Sequence, residues 1–168
     1  SSAILGALNQ NVGIIIAVDI SRRALQFAKK LGATHTLLFS KTLESRIRKI
    51  CPQGLDGAIE ASGNKLAMEM AYRILNDRGK LVIAGNIRHD ATISINPFDL
   101  IRGKRIVGTW GGETQPDTDI PYYIHQFQNG NFPINQLISK KFRLSQINEA
   151  ISLLKKSAVS GRLLIDFT

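Results

Sequence analysis

The stretch GIIIAVDIS, from Gly13 to Ser21, decides the fold class. Its apolar run, Ile14 to Val18, is typical of a strand buried on both faces, because a strand with one wet face alternates apolar and polar residues. The run ends in Asp19, and Ser21 belongs to the residue types that cap helix N-termini. The stretch therefore predicts a buried strand of a parallel sheet that leads directly into a helix.

The same alternation of strand and helix continues through the first 85 residues. Patterning predicts helices over residues 1–10, 21–31, 42–50 and 66–75, strands over 14–19, 34–39, 55–61 and 80–84, and a turn over 76–79. No hairpin sequence separates successive strands, and parallel strands require such helical crossovers. We predict an α/β fold with a doubly wound parallel sheet.

The second half is less regular. We predict strands over residues 92–95 and 104–110 on either side of a short helix that follows Pro97. Further helices are predicted over residues 120–128 and 145–156, and a last strand over 163–167.

Composition restricts the function classes. The 168 residues fit one domain. The net charge of +9 comes from basic residues that are spread along predicted helices without interleaved aromatics, so nucleic acid is not the expected partner. No apolar run approaches the roughly 20 residues of a membrane span, and the N-terminus does not resemble a secretory signal. The single cysteine, Cys51, leaves no internal disulfide, and we expect a cytoplasmic protein.

Asp19 is the first candidate binding residue. An acid at the carboxyl end of such a strand can accept hydrogen bonds from ribose hydroxyls, and it repels a 2′-phosphate, which favours NAD over NADP. The alternative is an acid that only interacts with the N-terminus of the following helix. In dinucleotide-binding folds a glycine-rich phosphate loop lies roughly 20 residues before this acid, and that distance reaches beyond Ser1.

Small-residue turns follow two further predicted strands. In parallel sheets, ligands bind outside the carboxyl ends of the strands, and small residues let the backbone approach them. The alternative for these turns is an ordinary strand-to-helix connection. Arg162, just before the last predicted strand, could pair with a pyrophosphate, and the alternative for it is a solvated surface residue. Glu60 could orient its neighbours but is not a predicted catalytic acid. Besides Asp19, the candidate binding residues are Gly63, Asn64, Ala84, Gly85, Asn86, Trp110 and Arg162.

Five segments together resemble a known family. These are AVDISRRALQFAKKLGAT, DGAIEASGN, GKLVIAGN, GTWGG and INEAISLLKKSAVSGRLLIDF. They are similar to the cofactor-binding half of the medium-chain, zinc-type alcohol dehydrogenases, and the similarity covers nearly the whole chain. The resemblance implies a Rossmann-type sheet that is expected to lack its first strand and its glycine loop in these 168 residues.

The resemblance also implies roles for individual residues. Asp19 would bind the ribose, and Arg22 would flank the adenine and ribose. Arg162 would pair with the pyrophosphate. The nicotinamide amide would meet the backbone around Ala84, Gly85, Asn86 and Trp110, and Gly63 and Asn64 form the neighbouring loop. No residue of the chain is implied as catalytic or as a metal ligand.

For the intact protein, the resemblance implies hydride transfer between an alcohol or aldehyde and NAD. Zinc would be held by a catalytic domain upstream of Ser1, so we expect residues 1–168 alone to be inactive. We expect one dinucleotide-binding domain whose last helix and strand, residues 145–156 and 163–167, belong to or pack near that catalytic domain. The strand from Arg105 to Thr109 is expected to join two copies in an oligomer.

Three alternatives remain at this stage. A zinc-free quinone or enone reductase of the same superfamily shares the cofactor domain, although Asp19 argues against the NADPH that many of those enzymes use. A methyltransferase also places an acid after its second strand, but the turn at Gly85 and the ending at Arg162 fit it poorly. The third alternative is an inactive, truncated remnant.

Overall fold

The computed structural model describes residues 1–156 and 158–167, and within them helices and strands alternate along the chain. The helices are α1 Ser2–Asn9, α2 Arg22–Lys30, α3 Leu43–Ile50, α4 Lys65–Arg73, α5 Pro97–Ile101, α6 Pro116–Gln128 and α7 Ile147–Lys155. The strands are β1 Ile16–Asp19, β2 His35–Leu38, β3 Leu55–Glu60, β4 Leu75–Ile83, β5 Arg105–Gly108, β6 Ile138–Arg143 and β7 Arg162–Asp166.

Every strand pair among the described residues is parallel. β1 pairs with β2, β4 lies between β3 and β5, and β6 pairs with β7. Glu60 is opposite Ile83, and Ile83 is opposite Gly108, so β3, β4 and β5 end at the same edge of their sheet. The predicted α/β fold with parallel sheets is confirmed.

One compact unit comprises residues 1–39 and 116–168 and holds β1, β2, β6 and β7. One part of its core packs Leu5 and Leu31 against Phe132 and Leu137. Another part packs Ile15 of the segment before β1 against Ala28 of α2. The predicted cap of α2 is present, because the Ser21 hydroxyl accepts a hydrogen bond from the Ala24 backbone N–H at 3.4 Å.

The other unit, residues 40–115, is built on the sheet β3-β4-β5. Leu81 of β4 is fully buried, and it packs with Leu75 and with Tyr72 of α4. The Asn64 side chain caps α4 by accepting hydrogen bonds from the Leu66 and Ala67 backbone N–H groups. This cap fixes where the loop after β3 passes into the helix.

The structure corrects the prediction for the segment before Lys80. The strand begins at Leu75, not at residue 80, and the predicted turn over residues 76–79 is an irregularity inside it. Leu55 pairs with Leu75, but the next pair along the ladder is Gly57 with Lys80. The extra residues on β4 bulge outward, and the Asn76 side chain accepts a hydrogen bond from the Arg78 backbone N–H.

Two further predictions were wrong, and one strand was not predicted. Residues 92–95 form no strand, although Ile95 packs against the core of its unit. β6 was missed because Lys140 and Lys141 interrupt its apolar pattern and only Phe142 of this strand is buried. β1 is not buried on both faces, since Val18 is 39% exposed. Among the described strands, β1 pairs with β2 alone.

Among the described residues, no helix combines the length and the apolar character that crossing a membrane requires.

Candidate functional site

Asp19 ends β1, and its carboxylate is half-buried. Oδ1 accepts a hydrogen bond from the Ser21 backbone N–H at 2.8 Å, while the Asp19 backbone carbonyl accepts one from the Phe39 N–H at 3.0 Å. Both bonds hold the residue at the carboxyl edge of β1-β2. Among the described hydrogen bonds none uses Oδ2, so this oxygen remains as an acceptor. The two alternatives for Asp19 are therefore compatible, because one oxygen orders the helix start and the other is available to a ligand.

The two arginines after Ser21 are placed differently. Arg22 is the first residue of α2 and is exposed. The Arg23 guanidinium donates through Nη1 to the Ala158 backbone carbonyl. Arg23 thus links the start of α2 to the segment that leads into β7.

Three features fix the turn before Arg162. The Ser139 hydroxyl donates to the Ser160 backbone carbonyl, which ties the turn to β6. Gly161 has φ of +96°, and a Cβ there would meet the Ser139 hydroxyl and approach the Leu137 carbonyl oxygen to 2.6 Å. Together with the bond from Arg23 to Ala158, these contacts define where β7 begins, and Arg162 is its exposed first residue.

Asp19 and Arg162 both act on the start of α1. The charges of Asp19 and Arg162, which have opposite signs, both act at the N-terminus of α1. Both candidate residues therefore lie within electrostatic range of this helix N-terminus. A helix N-terminus with an arginine beside it suits an anionic group.

A second group of candidate residues lies at the carboxyl edge of β3-β4-β5. The loop after β3 touches the turn after β4: a Cβ on Gly63, whose φ is +69°, would collide with the Asn86 carbonyl. A Cβ on Gly85 would lie 2.7 Å from Glu60 Oε2. The structure thus brings Gly63, Gly85 and Asn86 together.

Asn64, in the loop after β3, caps α4. Its side-chain oxygen is occupied by the two backbone N–H groups that it caps, Leu66 at 2.9 Å and Ala67 at 3.2 Å. Ala84, by contrast, is exposed beside Gly85, and its backbone N–H donates to the Glu60 carbonyl at 2.8 Å.

Trp110 follows β5 at the same edge of the sheet, and its side chain is 97% exposed. It lines a shallow hollow of about 440 Å³ with Gly108, Glu113 and Thr114. The Thr109 backbone N–H donates to the Ile83 carbonyl at 3.0 Å, which carries the ladder one residue past β5. An exposed indole above a glycine turn leaves the backbone around it accessible to a ligand.

Glu60 is the buried acid at this edge of the sheet that the sequence identified least clearly. It is buried, and its carboxylate lies under the loop that contains Gly63. The detectable signal was an acid at the end of a predicted strand, followed directly by a small-residue loop.

Among the described residues, no group of three or more His, Cys, Asp or Glu side chains is arranged to hold a metal ion.

A comparison with family models places the chain. Residues 1–129 match the model described as zinc-binding dehydrogenase. The chain belongs to this family, and its parallel α/β architecture with candidate residues at the carboxyl ends of the strands is the Rossmann-type cofactor domain of that family.

Relatives of the chain are alcohol dehydrogenases. It is 27% identical over 152 residues to a probable S-(hydroxymethyl)glutathione dehydrogenase 1 of Schizosaccharomyces pombe, covering 89% of this chain and 40% of that protein. It is 27% identical over 155 residues to alcohol dehydrogenase 1 of Solanum tuberosum, covering 90% of this chain and 41% of that protein. The chain thus spans well under half the length of these curated relatives.

A solved structure gives the same result. The benzyl alcohol dehydrogenase of Acinetobacter calcoaceticus superposes with a TM-score of 0.88 at 30% identity, over 98% of this chain and 46% of that one. The resemblance to zinc-type alcohol dehydrogenases and the Rossmann-type fold class are confirmed.

The turn before Arg162 provides a test of this geometry. Gly161→Ala should lower the free energy of unfolding by about 1–3 kcal/mol, because alanine disfavours the positive φ and its Cβ collides with Ser139. Gly13→Ala is the matched control, since a Cβ there meets nothing within 4 Å and should leave stability unchanged or slightly higher. Denaturant unfolding followed by circular dichroism measures both. Equal stability of the two variants would contradict the described turn.

Proposed function

We propose that residues 1–168 bind NAD in an oxidoreductase that transfers a hydride between an alcohol or aldehyde and the nicotinamide ring. The observation that carries this proposal is the Asp19 carboxylate at the end of β1, with one oxygen bound to the helix start and the other available. Family membership supports the same conclusion, because the relatives named above include an alcohol dehydrogenase and a benzyl alcohol dehydrogenase.

The adenosine end of NAD is assigned to the unit that contains Asp19. Asp19 Oδ2 would accept hydrogen bonds from the ribose hydroxyls, and the exposed Arg22 would flank the adenine and ribose. Arg162 would neutralise the pyrophosphate near the N-terminus of α1. These residues bind and orient the cofactor and take no part in the transfer itself.

The nicotinamide end is assigned to the carboxyl edge of β3-β4-β5. Backbone groups around Ala84, Asn86 and Trp110 would bind the carboxamide, because these three residues are exposed or partly exposed. Gly63 and Gly85 let the loop after β3 and the turn after β4 pack closely beneath them. The chemistry that NAD supplies when bound is hydride exchange with the carbon of the alcohol or aldehyde. The task of these residues is to hold the ring in one orientation.

NAD is the proposed cofactor in preference to NADP. The Asp19 carboxylate would repel a 2′-phosphate on the ribose that it binds. The basic pair Arg22 and Arg23 raises the opposite possibility, but the Arg23 guanidinium donates to the Ala158 carbonyl. That bond directs one of the two arginines to the turn before β7, which supports the NAD preference.

Zinc belongs to the proposal for the complete protein. The family is described as zinc-binding, and the resemblance implies that the zinc is held by a catalytic domain outside residues 1–168. A zinc ion there would act as a Lewis acid on the substrate oxygen. We further propose that α7 and β7 pack near the domain that holds it.

The first test concerns cofactor choice. Asp19→Ala should weaken NAD binding about tenfold and reduce the preference for NAD over NADP, because it removes both the ribose acceptor and the repulsive charge. Titration calorimetry with each cofactor measures the two affinities. Asp117→Ala, which removes an exposed acid from α6, should change neither. Equal affinity of the unmutated protein for NAD and NADP would refute the preference.

The second test concerns the phosphates. Arg162→Ala should weaken NAD by about tenfold or more, since a charge-assisted bond to a phosphate is worth about 1.5–3 kcal/mol. Its effect should shrink at high salt, because screening reduces the attraction in the unmutated protein. Arg46→Ala, an exposed arginine on α3, is the control. Unchanged NAD affinity in Arg162→Ala would assign this side chain to the solvated surface.

We also propose that the complete protein is an oligomer joined through the strand edge from Arg105 to Thr109. In the described residues β5 pairs with β4 alone, and Val107 is 41% exposed. An uncovered apolar edge strand favours pairing with another chain, and a two-fold partner would extend the sheet.

Val107→Lys should therefore shift the protein toward monomers, because a charge on an edge strand opposes pairing. Val12→Lys, at a similarly exposed valine distant in sequence, should leave the oligomer intact. Light scattering measures the molar mass of each variant. A monomeric unmutated protein, or equal dissociation of both variants, would contradict the proposed interface.

A further inference from the structure

Glu60 is a buried acid that the proposed function does not use. It ends β3 with 4% of its surface exposed. Oε1 accepts a hydrogen bond from the Ser62 backbone N–H at 2.7 Å and another from the Ser62 hydroxyl. Oε2 accepts from the Gly63 backbone N–H at 3.2 Å. All described hydrogen bonds of this carboxylate therefore go to the loop that follows its own strand.

The backbone of the same residue holds the neighbouring turn. The Glu60 carbonyl accepts hydrogen bonds from the Ala84 N–H at 2.8 Å and the Gly85 N–H at 2.9 Å. Gly85 lies directly against the side chain, because a Cβ there would approach Oε2 to 2.7 Å. Glu60 thus contacts both the loop after β3 and the turn after β4.

The charge of the side chain matters to this arrangement. None of the ion pairs between described residues involves Glu60, so hydrogen bonds from the loop take the place of a cation. A buried carboxylate is costly unless donors surround it, and bonds to a charged acceptor are stronger than neutral ones. The loop can satisfy the carboxylate only in the conformation that aims the Ser62 and Gly63 N–H groups at it.

We propose that Glu60 is a positioning residue for the nicotinamide end of the cofactor site. Its carboxylate fixes the backbone of Ser62 and Gly63 against the turn at Gly85 and Asn86, where the carboxamide is proposed to bind. This inference rests on the proposed function. It predicts that the side chain affects the nicotinamide part of the cofactor and leaves the adenosine and phosphate parts unaffected.

The test compares two ligands in the complete polypeptide that contains residues 1–168. NADH carries the nicotinamide, whereas ADP-ribose has the same adenosine, pyrophosphate and second ribose without it. Glu60→Gln should raise the dissociation constant of NADH about tenfold, because an NH₂ group replaces one of the two acceptor oxygens and faces the backbone N–H of Ser62 or of Gly63. ADP-ribose affinity, measured by the same calorimetry, should change less than about twofold.

Two variants strengthen the comparison. Ser62→Ala removes one of the donors to Glu60 while keeping the acid, and it should weaken NADH by a smaller factor than Glu60→Gln does, again without affecting ADP-ribose. Glu44→Gln is the matched control, because Glu44 is a half-buried acid of the same unit that pairs with Arg73 away from both turns. It should change neither affinity.

The outcomes are distinct. Equal weakening of NADH and ADP-ribose in a folded Glu60→Gln protein, or no weakening of NADH, would overturn the positioning role. If Glu60→Gln does not fold, Ser62→Ala decides: selective loss of NADH affinity supports the role, and unchanged NADH affinity overturns it. If the unmutated protein binds neither ligand, the proposed function fails before the role of Glu60 is in question.

Discussion

Parallel pairing of strands is the constraint on which the rest of this structure depends. In a parallel ladder the strands end on the same side. Backbone pairing therefore places residues far apart in sequence at one edge of the sheet, even where their side chains do not touch. In one unit the end of β1 places Asp19, and in the other the ends of β3, β4 and β5 place Glu60, Gly85 and Trp110. Most of the candidate residues consequently lie in turns and at the first residues of helices or strands.

Hydrogen bonds from a few side chains turn these edges into defined shapes. Ser21 and Asn64 cap the helices that follow the strands, and Arg23 donates to the turn before Arg162. Glu60 does the same for a loop and a turn at once. Each of these side chains forms hydrogen bonds with the backbone. Asp19 Oδ2 and the exposed turns remain available to a ligand. A site of this kind suits a cofactor that is held along its length and reacts at one end.

The sequence was sufficient for elements whose local pattern agrees with their environment. The spacing of apolar residues and the positions of turn residues predicted the cap at Ser21 and the helices α2 to α4. They also predicted that β1 to β4 are parallel strands. The sequence was not sufficient where pairing with a distant strand decides the structure. β6 contains two lysines and is a strand because β7 pairs with it. Residues 92–95 alternate polar and apolar side chains as a strand would, but they pair with no described strand. The role of Glu60 was likewise hidden, because its partners are backbone groups that any sequence possesses.

Hydrogen exchange with and without NAD tests the central claim most directly, because it reports the backbone groups at both strand edges together. The account predicts that NAD slows exchange around residues 19–24, 62–64, 84–86, 109–111 and 161–163 of the complete polypeptide. The amino ends of β3 and β4, with Gln53 and Asp77, should exchange at the same rate with and without NAD. Unchanged exchange at the carboxyl edges, or protection confined to the opposite ends of the strands, would contradict it.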